Sequence, residues 1–507
     1  MRLSAARSAL VAVALLSLVP CAAAQDLAAF EKRVTVTTLD NGLTLIVCER
    51  PEAPVFSFFT HVNVGSDREV PGITGIAHMF EHMAFKGTDR IGTTDFAAEQ
   101  AALEKVEKAY AAYDAERRKP IGRDEAKVAE LEQAWKAAIA AADQYVVTNE
   151  FGEIIDREGG VGLNAYTNAD ETGYFFSFPS NRLELWAYLE SERYLKPVMR
   201  EFYKERDVVM EERRMRTESN PIGRLVEQTV AAAYSAHAYG RPVVGYMSDL
   251  QAFSATDALE FHEKYYVPAN MVVAVVGDVK AAEVRPLVEK YFGRLEARPK
   301  PEPIRTVEPP QRGERQVVLK DAAQPVYLEA YHKPSALDPD NAVYDVIGEL
   351  LSRGRTSRLY RSLVRDKQIA AQAFGFSGFP GVKYPNLFVF GAFPTPGHTP
   401  AQLQEGVRAE IERLKAEDVT EDELRMVKTR AKADLIRQLA NNQGLALQLG
   451  SMQALYGDWR ELFRQVVRIE AVTAADVRRV ANKTFVESNR TVAILESTAM
   501  AGAQGSR

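Results

Sequence analysis

Two β-rich runs, Val34 to Leu39 and Leu43 to Cys48, flank Asp40-Asn41-Gly42. Asn-Gly between apolar runs is the strongest short hairpin signal. A third apolar run, Val55 to Val64, leads through Gly65 and a Pro71-Gly72 break into a short helix expected from Ile76 to Lys86. From Asp95 to about Tyr145 the hydrophobic period becomes helical. Leu103, Val106, Tyr110 and Tyr113 share one face, Pro120 and Gly122 interrupt it, and Val128, Leu131, Trp135 and Ile139 resume it. This predicts a helical hairpin inserted at about 95–150, either solvated on its charged faces and packed on itself or presenting those faces to a partner. Gly159, Gly160 and Gly162 then precede Asn164-Ala165-Tyr166-Thr167 and an aromatic strand, Gly173 to Phe178. Glycines beside a strand mark close approach of a ligand or another strand. Helical patterning returns from Arg182 to Tyr194 and from Glu201 to about Thr217, and Met271 to Val276 reads as a buried strand.

After a Pro-rich, charged linker at 298–315 the pattern starts again. Strands are expected at Gln316 to Leu319 and Val326 to Tyr331, then a helix from Asn341 to Ser352. Aligning Gly354 with Gly87 sets Asp345, Gly348 and Glu349 opposite His78, Glu81 and His82. The chain therefore reads as a duplication with one chemically equipped half. The expected fold is α+β, two homologous halves at 30–297 and 316–500, each an antiparallel sheet with helices.

Composition narrows the class. Of 507 residues, 46% are hydrophobic and 26% charged, as in soluble globular proteins of two to four domains. A net charge of −6 gives no sign of a nucleic-acid binder. Arg2 and Arg7 precede an apolar run, Ala9 to Val19, and Ala22-Ala23-Ala24 precedes Gln25, which predicts a secretory signal at 1–24. The run is too short to span a bilayer permanently, so an exported, periplasmic protein is expected. Lipid attachment at Cys21 is disfavoured by Pro20 before it. Without the signal only Cys48 remains, so no intrachain disulfide can form.

The chemistry concentrates in His78-Met79-Phe80-Glu81-His82. Histidines four apart lie one above the other on a helix, with Glu81 beside them. H-x-x-E-H is the inverted form of a zinc-peptidase motif. Two imidazoles could hold zinc, and the carboxylate could take a proton from a zinc-bound water as general base. The competing reading is a pair of histidines satisfied by hydrogen bonds in a core. Glu205 and Glu212, seven apart, share a face of the later helix. They suit either a solvated surface or a cation. His61, His237, His262, His332 and His398 have no motif around them and are left unassigned.

With H-M-F-E-H, N-A-Y-T, K-E-R-D-V-V-M-E-E and the internal repeat in order, the chain resembles the pitrilysin-type inverted-motif zinc metallopeptidases, a family that includes insulysin and the mitochondrial processing peptidase. His237 to Pro242, Gly245 to Asp249 and Asn270 to Asp278 look like its bacterial exported members. The resemblance implies one zinc ion held by His78, His82 and Glu212, with Glu81 as general base and Glu205 as a supporting carboxylate. The interval from His82 to Glu212, 130 residues (212 minus 82), exceeds the usual one, and the inserted hairpin accounts for the excess. Asn164 and Ala165 match the edge-strand segment that pairs with substrate. Arg365 matches an arginine that stabilises the oxyanion, but Gln372 stands where the accompanying tyrosine is usual. In the two-subunit branch of the family a partner supplies that pair, so a homologous partner chain, in a heterodimer or a homodimer, is expected. The two halves are expected to enclose an unfolded peptide between them. The implied activity is that of a zinc endopeptidase or oligopeptidase, with a non-catalytic or partner-dependent subunit as the alternative.

Overall fold

Strand placement follows the hydrophobic pattern to within one or two residues. In the computed structural model, which describes residues 27–498, β1 (Val34–Thr38) and β2 (Thr44–Glu49) form an antiparallel hairpin. Gly42 takes φ +93° in its turn, a left-handed conformation that glycine adopts without strain. β3 (Val55–Val62), β4 (Val161–Thr167), β5 (Thr172–Pro179) and β6 (Met271–Gly277) complete a six-stranded sheet in the order β1-β2-β6-β3-β5-β4. The expected signal at 1–24, with Cys21, lies outside the described residues.

The second sheet contains β7 (Arg315–Asp321), β8 (Val326–Lys333), β9 (Ala370–Phe379), β10 (Asn386–Pro394) and β11 (Arg490–Ser497), in the order β7-β11-β8-β10-β9. Without β1, the first order, β2-β6-β3-β5-β4, maps onto it strand for strand. Each sheet has one parallel pair, β2 with β6 and β7 with β11, and its other pairs are antiparallel. The duplication thus extends to strand direction. The antiparallel sheets expected from the sequence each take in one parallel pair, because a strand returning after a long crossover can run either way.

What covers the sheets differs from expectation. One face of the first sheet packs Phe56, Phe58 and Val275 against Met79, Phe80 and Trp186 of its own half. Its other face, with Ile46, Phe59 and Ala274, is covered by Leu445, Ala446 and Leu449 from the helix Asn442–Tyr456 of the second half. That helix comes so close that a Cβ at Gly450 would lie 2.7 Å from the Phe59 ring. In return, Leu225 on the helix Pro221–Ala233 of the first half packs on Leu328, Ala493 and Leu495 of the second sheet. The halves therefore exchange helices and lie back to back, rather than enclosing a substrate between them. An apolar face must be buried, and in each half part of that burial comes from the other.

The inserted hairpin is present as Phe96–Arg117 and Glu125–Ala142, capped by the side chains of Asp95 and Asp124. It does not pack on itself alone. Arg206, on the helix Phe202–Arg213, places its guanidinium 5.1, 5.7 and 4.8 Å from the ring centroids of Tyr110, Trp135 and Tyr203 and donates to the Tyr110 hydroxyl at 2.9 Å. Arg200, 1% exposed, donates to both Glu99 oxygens at 2.6 and 2.7 Å and to the carbonyls of Lys86, Ile91 and Thr88. Glu99 belongs to the hairpin, so this ion pair binds the hairpin to the loop after Met83.

Leu449→Ala should lower stability by about 2–5 kcal/mol in urea unfolding. Both sheets should shift together in one transition, because Leu449 is a second-half residue buried on the first sheet. Arg200→Met leaves Glu99 buried and uncompensated and should cost about 3–5 kcal/mol, part of which the double variant Arg200→Met/Glu99→Met should recover.

Candidate metal centre

The histidine-bearing helix spans Ile76–Met83, three residues shorter than expected. Residues 84–86 tighten into turns, and Gly87 at φ +89° turns the chain away. Ile76, Met79, Phe80 and Met83 are buried on its core side, where the Phe80 ring lies 5.0 Å from His262 and 4.5 Å from Tyr266. The free N–H groups at its start are satisfied from a distance. Glu69, buried, accepts from Gly75 N at 2.8 Å and Ala77 N at 2.9 Å, and burial pushes this carboxyl up to about 8 against those two backbone donors. Asp249 holds the approach by accepting from Gly72 N, Thr74 N and the Thr74 hydroxyl.

His78, Glu81 and His82 face the helix Phe202–Arg213. Glu212 sits astride the two imidazoles, with Oε1 3.6 Å from His78 Nε2 and Oε2 3.7 Å from His82 Nε2. These separations are too long for strong hydrogen bonds. They fit zinc: bonds of about 2.0–2.1 Å to tetrahedral zinc place neighbouring ligand atoms about 3.3 Å apart. One ligand atom from each of His78, His82 and Glu212 lies within 4.8 Å of the others, and among the described residues this is the one such group. Burial pushes the His78 imidazolium down to about 3, so the ring is a neutral donor near pH 7. The Nδ1–H of His82 donates to Glu205 Oε2 at 3.3 Å, which leaves Nε2 turned toward Glu212. Glu205 is held in turn by Lys86 Nζ at 2.5 Å. Among the described residues His78 Nδ1 is buried without a hydrogen-bond partner, so packing sets that ring's orientation. Burial raises the Glu81 carboxyl above its usual range, and the Thr167 hydroxyl opposes this by donating to Oε2 at 2.6 Å.

The surroundings are those of a groove beside a sheet edge. A cavity of about 360 Å³ is lined by Glu81, His82, Phe85, Lys86, Asn164, Ala165 and Glu205, with Thr148 and Asn149 where the inserted hairpin rejoins the fold. All of these lie in the first half. Asn164 and Ala165 are on β4, the edge strand, and Asn164 is exposed. A cavity of about 540 Å³ occupies the corresponding place in the second half, beside Asp345, Gly348, Glu349 and β9, with no imidazole in its lining.

Not every residue expected at the site is there. Arg365 is exposed on the π-helical segment Tyr360–Asp366 of the second half, its guanidinium donating to Asp366 at 2.6 and 3.0 Å, and it lines neither the metal group nor the cavity. Gln372 is exposed on β9, opposite Phe393. Conversely, sequence reasoning gave no role to Thr167, Lys86 or Arg216, which touch Glu81, Glu205 and Glu212. Lys86 and Arg216 each stand four residues beyond a candidate ligand, a spacing that could have pointed to them.

Comparison with known proteins agrees with this geometry. Residues 46–115 match the insulinase (peptidase family M16) domain and residues 252–431 the peptidase M16 inactive domain. Zinc protease PqqE of Helicobacter pylori is 31% identical over 470 residues, covering 90% of this chain and 92% of that protein. The uncharacterized zinc protease ML0855 of Mycobacterium leprae is 26% identical, covering 91% of each. The crystal structure of a protease from Helicobacter pylori has a TM-score of 0.75 at 29% identity, covering 91% of this chain and 99% of that one. A peptidase M16 inactive domain from Pseudomonas fluorescens, 16% identical, shares the fold with a TM-score of 0.72. With 31% identity spanning nearly all of both sequences, on a duplicated fold that carries the inverted motif, this chain belongs to the insulinase family of peptidases, family M16.

Proposed function

We propose that the protein is an exported zinc endopeptidase or oligopeptidase acting on extended peptides. The observation that carries this reading is the convergence of His78, His82 and Glu212 beside a carboxylate, Glu81, that none of them engages. His78, His82 and Glu212 hold the zinc, and Glu205 orients His82. Zinc, when bound, acts as a Lewis acid toward a carbonyl and eases the deprotonation of water.

Glu81 does the proton work. The Thr167 hydroxyl occupies Oε2, so Oε1 is free to accept a proton from the water that attacks the scissile carbonyl carbon. A carbon–oxygen bond forms, the carbon–nitrogen bond breaks, and Glu81 gives the proton to the departing amine. Substrate lies along the edge strand β4, where the outer backbone near Asn164 and Ala165 accepts an extended chain as one more strand once Ala165 N–H exchanges the Asn164 side chain for it. Main-chain pairing of that kind tolerates many sequences and excludes folded ones.

A second, homologous chain closes over the open side of the cavity. In support, the cavity is lined by first-half residues alone, and Arg365 is held away by Asp366. Export rests on the leader-like pattern at 1–24, and among the described residues no helix is long and apolar enough to cross a membrane.

Glu81→Gln should keep one zinc per chain by metal analysis and lose about 10²–10⁴ in kcat on a quenched peptide. Glu212→Gln should lose the metal on dialysis against a mild chelator, and activity with it. Wild-type cleavage by the first variant removes Glu81 as the base. For the second chain, light scattering during turnover should show a dimer, and a fully active monomer rejects it.

A further inference from the structure

The two halves touch at equivalent turns. In the strand-for-strand correspondence β4 and β5 match β9 and β10, and the turn between the first pair, 168–171, is gripped by residues 380–384 between the second. Asp170, 7% exposed, accepts from Val382 N at 2.6 Å and Lys383 N at 3.2 Å through Oδ2, and from the Tyr239 hydroxyl through Oδ1. The same hydroxyl accepts from Tyr384 N at 3.2 Å, and Lys383 Nζ donates to Asn63 Oδ1 at 2.8 Å. A Cβ at Gly381 would lie 2.6 Å from the Tyr239 oxygen and 2.7 Å from Asp170 Oδ2, so only glycine lets this loop come down.

The turn is held from its own half as well. Ser66 N donates to Asn168 O at 3.2 Å and Asp67 N to Ala169 O at 2.9 Å. Inside it the Asn168 side chain accepts from Asp170 N at 2.7 Å and Glu171 N at 3.0 Å. Thr167 and Thr172 are the residue pair that closes the ladder beneath it. Their hydroxyls lie 3.4 Å apart, that of Thr172 donates to Val64 O at 2.9 Å, and that of Thr167 donates to Glu81 Oε2 at 2.6 Å. A continuous path of hydrogen bonds and three residues of backbone (170 minus 167) thus runs from the second half to Glu81.

Holding the halves together does not require such a path. The adjoining cluster of Ala169, Tyr234, Tyr239, Leu387 and Val389 already joins them, and apolar burial does so without the cost of drying a carboxylate. A carboxylate with three donors fixes direction as well as distance. Gly348 stands opposite Glu81, so the gripping turn has no such carboxylate of its own to set.

On the zinc-peptidase reading above, we propose that this clasp is a positioning device through which the second half sets the proton carrier of the first. Residues 380–384 fix the β4–β5 turn, the turn fixes the Thr167 hydroxyl, and the hydroxyl holds Oε2 of Glu81 so that Oε1 faces the attacking water. Asp170, Tyr239 and Gly381 are positioning residues that act through Thr167. The half without imidazoles takes part in the reaction without supplying a reacting atom.

The test works from the second half. Gly381→Ala pushes the loop off Asp170 and leaves every first-half residue unchanged, and Asp170→Asn removes the charge while keeping the shape. Each should lower kcat on a quenched peptide by about 10–10²-fold, the scale on which a small displacement near a reacting group is felt. Zinc affinity and KM should not change. Thr167→Val removes the hydroxyl and should lower kcat by a similar factor. In the Thr167→Val background, Gly381→Ala and Asp170→Asn should each change kcat by less than about twofold, because all three act through one bond. Losses that multiply overturn the proposal, as do second-half variants with parental kcat. Asp170→Asn decides the cycle where Gly381→Ala does not fold. A readout without turnover follows the Glu81 carboxyl by NMR in zinc-loaded protein with isotope-labelled glutamate, its signal assigned by its loss in Glu81→Gln. Asp170→Asn and Gly381→Ala should move that signal in the direction that Thr167→Val moves it, and an unmoved signal overturns the proposal. Parent protein that binds zinc yet cleaves nothing rejects the peptidase reading, while the carboxyl signal still decides whether the second half sets Glu81.

Discussion

A divalent cation can be held here only if a carboxylate reaches two imidazoles that lie 130 and 134 residues earlier in the chain (212 minus 82 and 212 minus 78). That long-range approach is the constraint on the rest of the first half. Two helices must stay in register to about half an ångström while one side of the group stays open. Each is secured away from the site. The histidine helix is pinned at its start by Glu69 and behind by Phe80 against His262 and Tyr266. The carboxylate helix is braced by Arg206 among the aromatic rings of the inserted hairpin. Arg200 joins the two supports through Glu99 and the carbonyls after Met83. The insertion thus lengthens the interval between the ligands and stiffens the helix that carries one of them.

Much of this was legible in the sequence because the signals are local. Asn41-Gly42 marks a turn whatever surrounds it, the hairpin's heptad-like spacing needs no distant partner, and H-x-x-E-H places three side chains on one helical face. The duplication was readable because Gly87 and Gly354 punctuate both copies, and Asp345, Gly348 and Glu349 do line the corresponding cavity. What was hidden is what depends on distance. The apolar positions Leu445, Ala446 and Leu449 announce a buried helix face without saying which sheet buries it. Tyr110 and Trp135 likewise pack within the hairpin in any reading, and only the fold adds Arg206 to them. The surroundings of Arg365 were hidden for a related reason, since motif alignment is blind to Asp366 beside it and to which face of the second half it occupies.

The electrostatics of the site follow from burial more than from sequence. His78 is neutral because it is dry, and His82 turns Nε2 inward because Glu205 takes its other nitrogen. Glu81 is kept apart from the ligands by a hydroxyl on the very strand proposed to pair with substrate, so strand and proton carrier share one hydrogen bond. On the proposed reading, a peptide seated on β4 would lie along the strand that holds Glu81.

The exchange of helices between the halves carries a consequence for how such a molecule can diverge. Each repeat roofs its twin, so the copy without imidazoles cannot be discarded: without it the working copy would expose Phe59 and Ala274 to water. Loss of chemistry in one repeat is then structurally harmless, whereas loss of that repeat would be ruinous. A duplication locked in this way leaves one copy as permanent scaffold, free to reshape its own hollow around Asp345 and Glu349 while the groove beside the histidine helix stays as it was.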